Sequence, residues 1–483
     1  MSNSTTAPLQ DTVNPDELTR SCSNPVLFLF VKAIGWLVLA LALDLLNGAR
    51  LLAPGLLVNC PWMTFGRVAA AAEHVLIYGF VLQAGMGVLL WLMVRLSRNA
   101  FHGHGLAYAA IGLWNLGVLL GLLGILAGMN TGYPMLEMPG FAAIMIGVAY
   151  LILGLLVLIQ FHGRRKRELY VSQWYLLLAL LIFPWAFFAA QMALHFQSVP
   201  GMVQGLIYWW FERNFKVLWV VSIGIALILY FVPMLLKRPL QDRTLAFYGF
   251  WSLVLVGGWG GVPTGVPLPS WVIGVSVVST TLLVIPLTCF VLSLYRTVDG
   301  QWKAFRTDPT LQFMGIGTIG LLLTFLGEVV AARPFFQALT GLTTYGKMLD
   351  VLLYFGFFGI VIFGAIYYIV PRLIDAKWPC EVMIRIHFWG SLIGIVLGAV
   401  AFEIGGFAQG IMLNIPESSF LNIIRFSQPI AGLALLASGI FALAQLAFLA
   451  NLSWLCLLRF GSCCLPAKWL PEELSSNSVE VNA

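Results

Sequence analysis

Long apolar runs separated by short polar stretches recur from residue 25 almost to the end of the chain. A hydrocarbon core about 30 Å thick is crossed by roughly 20 residues of helix. On that measure the pattern predicts twelve spans, at 25–46, 68–94, 106–127, 141–160, 171–194, 214–236, 244–262, 271–295, 311–332, 347–370, 386–413 and 427–457. No soluble domain fits between them. The expected fold is an all-α membrane protein, a twelve-transmembrane-helix bundle over residues 25–458, with tails at 1–24 and 459–483. The first tail lacks the basic-then-apolar order of a cleavable signal.

Composition agrees with lipid as the solvent. Hydrophobic residues make up 60% and charged residues 10%, against about 25% charged in soluble proteins, and mean hydropathy is +0.92. The net charge of +6 is spread over many loops, which excludes nucleic acid as a partner and leaves the lipid bilayer. None of the seven cysteines has zinc-like spacing, so they read as packing residues. Cys463 and Cys464, just past the last span, are positions where a lipid could attach.

Basic residues set the direction. The loops after spans 2, 4, 6, 8 and 10 hold Arg95 and Arg98; Arg164, Arg165, Lys166 and Arg167; Lys237, Arg238 and Arg243; Arg296, Lys303 and Arg306; and Arg372, Lys377 and Arg385. The other loops and their flanks hold only Arg50, Arg67, Arg213, Lys216, Arg333, Lys347 and Arg425. The even-numbered loops and both termini are therefore expected in the cytoplasm. Two outer loops, Asn130 to Pro139 and Pro263 to Ser270, carry no Lys or Arg and are rich in Pro and Gly, as tight connections are.

Charges inside a bilayer are costly and mark candidate functional groups. Glu73, Arg213, Lys216, Glu328, Asp350 and Glu403 all fall at the outer ends of their spans, as do Asp44 and His74. They predict an intramembrane ionic cluster in the outer third of the bundle; the competing reading is side chains reaching into headgroups. Lys32, in the inner part of span 1, fits that second reading. The six histidines form no ligand set: His102 and His104 share a loop, His162 and His195 end spans 4 and 5, and His387 lies near the inner end of span 11. No histidine occurs between His195 and His387, so spans 6 to 10 have none.

Several stretches, in order from about residue 60 to residue 410, resemble subunit I of the C-family (cbb-type) haem–copper oxidases. They are Pro61-Trp-Met-Thr-Phe-Gly-Arg67 with Leu76-Ile-Tyr-Gly-Phe80; Gln204-Gly-Leu-Ile-Tyr-Trp-Trp-Phe211 with Asn214 and Tyr230-Phe-Val-Pro233; and Phe250-Trp251 with Trp259. Further on come Lys303 with Arg306-Thr-Asp-Pro309, Leu311 and Phe313; Tyr367 with Pro371-Arg-Leu373; and His387-Phe-Trp389 with Ile393-Gly-Ile-Val-Leu397 and Gln409-Gly410. The resemblance implies two haems and one copper held by six histidines from spans 2, 6, 7 and 10. Counted from the matching motifs, those positions fall on Ala72, Arg213, Pro263, Thr264, Leu349 and Val351; a one-residue slip in span 10 gives Met348 and Asp350. The position of the family's redox tyrosine falls on Gly257. His74 lies two residues past the first ligand position, about 200° around the helix. Haem iron needs an axial side chain and oxygen reduction needs the adjacent copper, so no cofactor and no oxidase chemistry are expected.

The leading expectation is a cofactor-free homologue of subunit I, in a bacterial inner membrane. It would act as a subunit or accessory factor of a respiratory electron-transfer complex, beside other membrane or c-type cytochrome subunits. Arg213 would supply the positive charge once held by copper, with Glu328, Asp350 and Glu403 to neutralise it. Some of the 34 phenylalanines would fill haem-sized space. Tyr208-Trp209-Trp210 would offer an interface belt or an ordinary lipid girdle. One alternative is a transporter or ion-conducting protein, supported by the charges and by Gly257-Gly-Trp-Gly-Gly261 as a helix breaker, with Glu403-dependent ion flux as its signature; no inverted repeat supports it. The other is an active cytochrome c oxidase or nitric oxide reductase, which needs ligands this chain lacks.

Overall fold

A computed structural model gives the structure of residues 15–165, 168–196, 199 and 201–464. Eleven helices among the described residues are long and apolar enough to cross a membrane. They are α1 (Ser23–Leu52), α2 (Phe65–Ser97), α3 (His104–Leu126), α4 (Gly140–His162), α5 (Val171–His195) and α6 (Gly201–Leu235), then α8 (Ser270–Val298), α9 (Pro309–Ala331), α10 (Tyr345–Ile374), α11 (Glu381–Leu413) and α12 (Phe420–Leu458). The twelfth, α7, is shorter: Arg243–Val256, followed by a 3-10 turn at Gly257–Trp259. Span 7 was expected to run to residue 262; its helix ends early because the glycine run bends the chain toward α6.

Local chemistry starts several of these helices. The Asp242 carboxylate accepts from Leu245 N–H at the start of α7. Asp308 accepts from Leu311 N–H at the start of α9, with Pro309 in the first helical position. Part of the expected N-terminal tail is also helical, at Pro15–Ser21. It is pinned to the basic face, where Arg20 pairs with Asp375 at 3.1 Å and Ser21 Oγ accepts from Phe101 N–H. Residues 1–14 and 465–483 of the two tails lie outside the described residues. The backbone of Cys463 and Cys464 continues the last helix, and their side chains lie outside the described residues.

α2, α6 and α10 form the centre, with 94%, 83% and 78% of their apolar windows buried. Around them α1 packs on α2 and α12, α3 on α4, α5 on α6, α7 on α8, α9 on α10, and α11 on α12. Large aromatic side chains cross the central seams onto glycines. The Trp219 ring of α6 lies on Gly85 of α2, and the Phe357 ring of α10 lies on Gly224 of α6, so closely that a Cβ at either glycine would collide with it. Phe183, Phe187, Phe211, Phe215 and Trp219 continue this packing as a ladder of rings between α5 and α6. Small residues that let large neighbours approach are the usual device of helix packing in lipid.

The three central helices share a second feature. Each is wound as a π-helix over part of its length, at Val75–Val81, Asn214–Val220 and Val351–Gly359. π-helical turns are rare and cluster at functional sites. Here each starts at or within three residues of a position where the resemblance places a metal ligand: Ala72, Arg213 and Val351.

The close approach at Gly224 is testable. Gly224→Ala should destabilise the bundle by about 1–3 kcal/mol through overpacking against Phe357. Gly35→Ala, with open space around its Cβ, should cost nothing. Thermal unfolding in detergent measures both, and equal midpoints would remove the role assigned to this seam.

Candidate functional site

Arg213 is the last α-helical residue of α6 before its π-helical turn, and only 6% of it is exposed. Its Nη1 donates to Glu328 Oε2 of α9 at 2.6 Å, and its Nε donates to the Gly257 carbonyl at 3.0 Å. Its Nη2 is buried with no hydrogen-bond partner among the described residues. The glycine run at the end of α7 makes this cradle. A Cβ at Gly260 would stand 2.9 Å from Arg213 Nε, and one at Gly258 would stand 2.8 Å from Asn214 Oδ1. Gly261, at φ +92°, occupies the left-handed region that favours glycine. Gly257, where the resemblance places a redox tyrosine, instead supplies a carbonyl to a buried guanidinium.

One helical turn on, Lys216 Nζ bridges Glu212 Oε1 at 2.7 Å and Asp350 Oδ1 of α10 at 2.6 Å. It also lies 5.9 Å from the centre of the Tyr354 ring. Four of the six expected members therefore join in two adjacent clusters, Arg213–Glu328 and Glu212–Lys216–Asp350. Glu212 was not anticipated; its i,i+4 spacing to Lys216 was the available signal. Glu73 and Glu403 are not ion-paired among the described residues. Glu73 is half-buried within electrostatic range of Lys347, Asp350, Lys216 and Glu212. Glu403 lies on the exposed side of α11, with Tyr345 as its electrostatic neighbour. The sequence gives its depth but not its face, and on that face it cannot neutralise Arg213.

The remaining ligand positions do not converge. Ala72 is buried in α2. Pro263 and Thr264 lie in coil beyond the end of α7, where Thr264 N–H donates to Gln337. Leu349 packs its methyl group toward Gly327 of α9, and Val351 is half-buried where the π-helix of α10 begins. His74 turns toward α3, where Nε2 meets the Val118 carbonyl at 3.1 Å and the ring covers Gly121. Among the described residues no three His, Cys, Asp or Glu side chains are grouped to hold a metal. The donors at these positions and the aromatic-on-glycine seams do not fit two haems and a copper held in the family's manner.

The loop expected as a tight outer connection turns into the bundle. Met135, Leu136 and Met138 are buried. The Tyr78 hydroxyl donates to the Met135 carbonyl at 2.6 Å, and the Tyr354 hydroxyl approaches Met135 Sδ at 3.8 Å. Met135 holds φ at +63°, uncommon for a non-glycine residue; α2 and α10 grip it from both sides. Glu137 follows, its Oε2 buried without a hydrogen-bond partner among the described residues. Burial, reinforced by the nearby Glu73 charge, raises its carboxyl to about 8 despite the opposing effect of Lys347. The Tyr208-Trp209-Trp210 run is helical and half-buried rather than a free belt: Tyr208 lies against Tyr133 of this loop, and Trp210 against Trp185 of α5.

A second polar chain lies buried toward the opposite end of the bundle. The Tyr367 hydroxyl meets His387 Nδ1 at 2.9 Å, His387 Nε2 meets Gln445 Oε1 at 3.1 Å, and Gln445 Nε2 donates to Ser391 Oγ at 2.9 Å. With Tyr367 donating to Nδ1 and Nε2–H donating to Gln445, every link is satisfied by a neutral ring. The chain ties α10, α11 and α12 together. Gln445 carries no signal in the sequence, because its partner is 58 residues away.

Two outcomes follow. Arg213→Leu should destabilise the protein by about 3–5 kcal/mol, because it leaves the largely buried Glu328 unpaired. Arg213→Leu with Glu328→Leu should recover part of that loss in detergent unfolding; a double variant as unstable as the sum of the singles would show that the pair is not coupled. For Glu137, the folded carboxyl titrates near 8 and the unfolded one near its ordinary value of about 4.3. The folded state is thus favoured at low pH and loses this advantage as pH rises from about 5 to 8. Glu137→Gln should flatten that decline in the unfolding midpoint, and an unchanged pH slope would contradict the assignment.

Comparison with known proteins agrees with this architecture. A family described as cytochrome c and quinol oxidase polypeptide I matches residues 24–440. A cbb3-type cytochrome c oxidase subunit CcoN1 of Stutzerimonas stutzeri is 24% identical over 448 residues, covering 87% of this chain and 92% of that one. A cytochrome c oxidase subunit 1 homolog, bacteroid, of Bradyrhizobium diazoefficiens is 23% identical over 457 residues, covering 89% and 81%. The solved structure of a haem–copper terminal oxidase dimer superimposes with a TM-score of 0.72 at 13% identity, covering 90% of this chain and 84% of that one. The family match spans most of the chain, and the protein therefore belongs to the cytochrome c and quinol oxidase polypeptide I family, as a subunit I-like bundle of membrane helices.

Proposed function

We propose that this chain keeps the subunit I scaffold as a non-catalytic membrane subunit or accessory factor of a respiratory electron-transfer complex. The observation that carries this reading is Arg213. It stands where the resemblance places a copper ligand, and its guanidinium is bound by Glu328 and by the carbonyl of Gly257, the position of the family's redox tyrosine. A protonated guanidinium has no lone pair to offer a metal, and the Gly257 carbonyl is already taken by its Nε–H.

The other ligand positions support the same reading. Ala72, Pro263, Thr264, Leu349 and Val351 offer no imidazole, and Trp219 and Phe357 close the seams among α2, α6 and α10. The paired charges close on one another, as a structural clamp does, rather than lining an open path for ions. The relatives named as oxidase subunits suggest the partners, other subunits of a membrane oxidase complex.

Two measurements on one preparation test this. Purified from a host that assembles haem–copper oxidases, the isolated chain should show no Soret band. Mild-detergent purification followed by mass spectrometry should recover respiratory membrane subunits. A Soret band that stays with the isolated chain would overturn the non-catalytic reading, and recovery of no respiratory subunit would overturn the assignment to a complex.

A further inference from the structure

A cavity of about 1200 Å³ opens on the basic face, where α2 and α6 end and α5 begins. It is as large as or larger than most small-molecule sites, which hold about 300–1,000 Å³. Among the described residues, six basic ones line it, Arg95, Arg98, Arg165, Lys237, Arg238 and Arg243, against one acid, Glu168. They come from three separate parts of the chain, the loops after α2, α4 and α6 with their flanks. Positive-inside loops account for the number of charges but not for their convergence on one hollow.

The walls are fixed rather than loose. Arg165 N–H donates to the Ser97 carbonyl at 3.0 Å, joining the loop after α4 to the end of α2. Arg243 donates to the Leu169 carbonyl at 2.6 Å, and Arg238 to the Asp299 carbonyl at 2.8 Å. Arg98 and Lys237, at φ +52° and +53°, each hold a left-handed turn where α2 and α6 end. Both are exposed at the cavity. Val171 and Ser172, in the first turn of α5, also line it, and such a turn presents N–H groups that have no intrahelical acceptor. Apart from Tyr170 and Tyr230, the rest of the lining is apolar, including Leu96, Leu229, Pro233, Met234 and Leu240.

We propose that this cavity binds a molecule bearing two or more phosphoryl groups on a less polar body. One phosphoryl group would use only part of the basic rim, and the volume far exceeds a single phosphate. The apolar floor suits the body of the ligand. A nucleotide supplies this chemistry from solution, and a two-phosphate lipid such as cardiolipin supplies it from the membrane; basic pockets between membrane helices hold such headgroups. The proposal does not depend on whether the chain is catalytic.

Thermal unfolding of the full chain in detergent tests it in two arms, ATP or inorganic pyrophosphate in one and cardiolipin against phosphatidylcholine in the other, at matched ionic strength. Saturable stabilisation is expected in at least one arm, and the arm that responds identifies the source. The double variant Arg98→Gln with Lys237→Gln should bind roughly thirty-fold more weakly, the combined effect of two basic side chains. Lys377→Gln, exposed and outside the cavity, should bind as the parent does. The exchange Arg98→Lys with Lys237→Arg keeps the charge and should retain binding if the glutamine variant fails to fold. Stabilisation in neither arm would overturn the proposal, as would equal weakening by Lys377→Gln.

Discussion

A guanidinium buried in a bilayer-spanning bundle must be neutralised, and much of one end of this protein is arranged around that need. Removing such an ion from water costs several kcal/mol even after relaxation. Arg213 recovers this through Glu328 and the Gly257 carbonyl. The carbonyl is available only because α7 stops at Val256 and the chain turns through glycines. The short seventh helix and the glycine run that ends it thus both serve one buried charge. Lys216, held between Glu212 and Asp350, adds a second crossing from α6 to α10 at the same depth.

Farther into the bundle the constraint is volume. The central helices α2, α6 and α10 meet through rings laid on glycines, so their separation is fixed by Trp219 on Gly85 and Phe357 on Gly224. Interiors are close-packed, and voids in them cost stability. The π-helical turns beside Ala72, Arg213 and Val351 keep a backbone irregularity at the family's ligand positions. Fold and chemistry are separable in this way because a scaffold does not by itself dictate the site built on it.

Polar chains at the two ends of the bundle do different work. At the end that holds Arg213 and Lys216 the loop carrying Met135 and Glu137 folds inward onto Tyr78 and Tyr354. Toward the other end the Tyr367–His387–Gln445–Ser391 chain joins three helices through fully paired groups. Hydrogen bonds of this kind specify which helices are neighbours, since lipid gives no hydrophobic reward for one apolar pairing over another.

The sequence alone determined that the chain lies in lipid, that it forms about twelve long helices, and where Arg213, Lys216, Glu328 and Asp350 fall along theirs. These are one-dimensional quantities: the length of an apolar run and the position of a charge within it. The resemblance carried the family, because its motifs occur in order along the chain. Partners across helices were not readable. Glu403 shares the depth of the others but faces outward, and Gln445 reaches His387 from a distant helix. The loop before α4 looked like a simple connection because nothing in its composition shows that it turns inward. Only the tertiary structure decided which charges pair, where α7 ends and which rings fill the centre. Those outcomes depend on the rotation of each helix about its axis and on its neighbours, and packing across the bundle sets both.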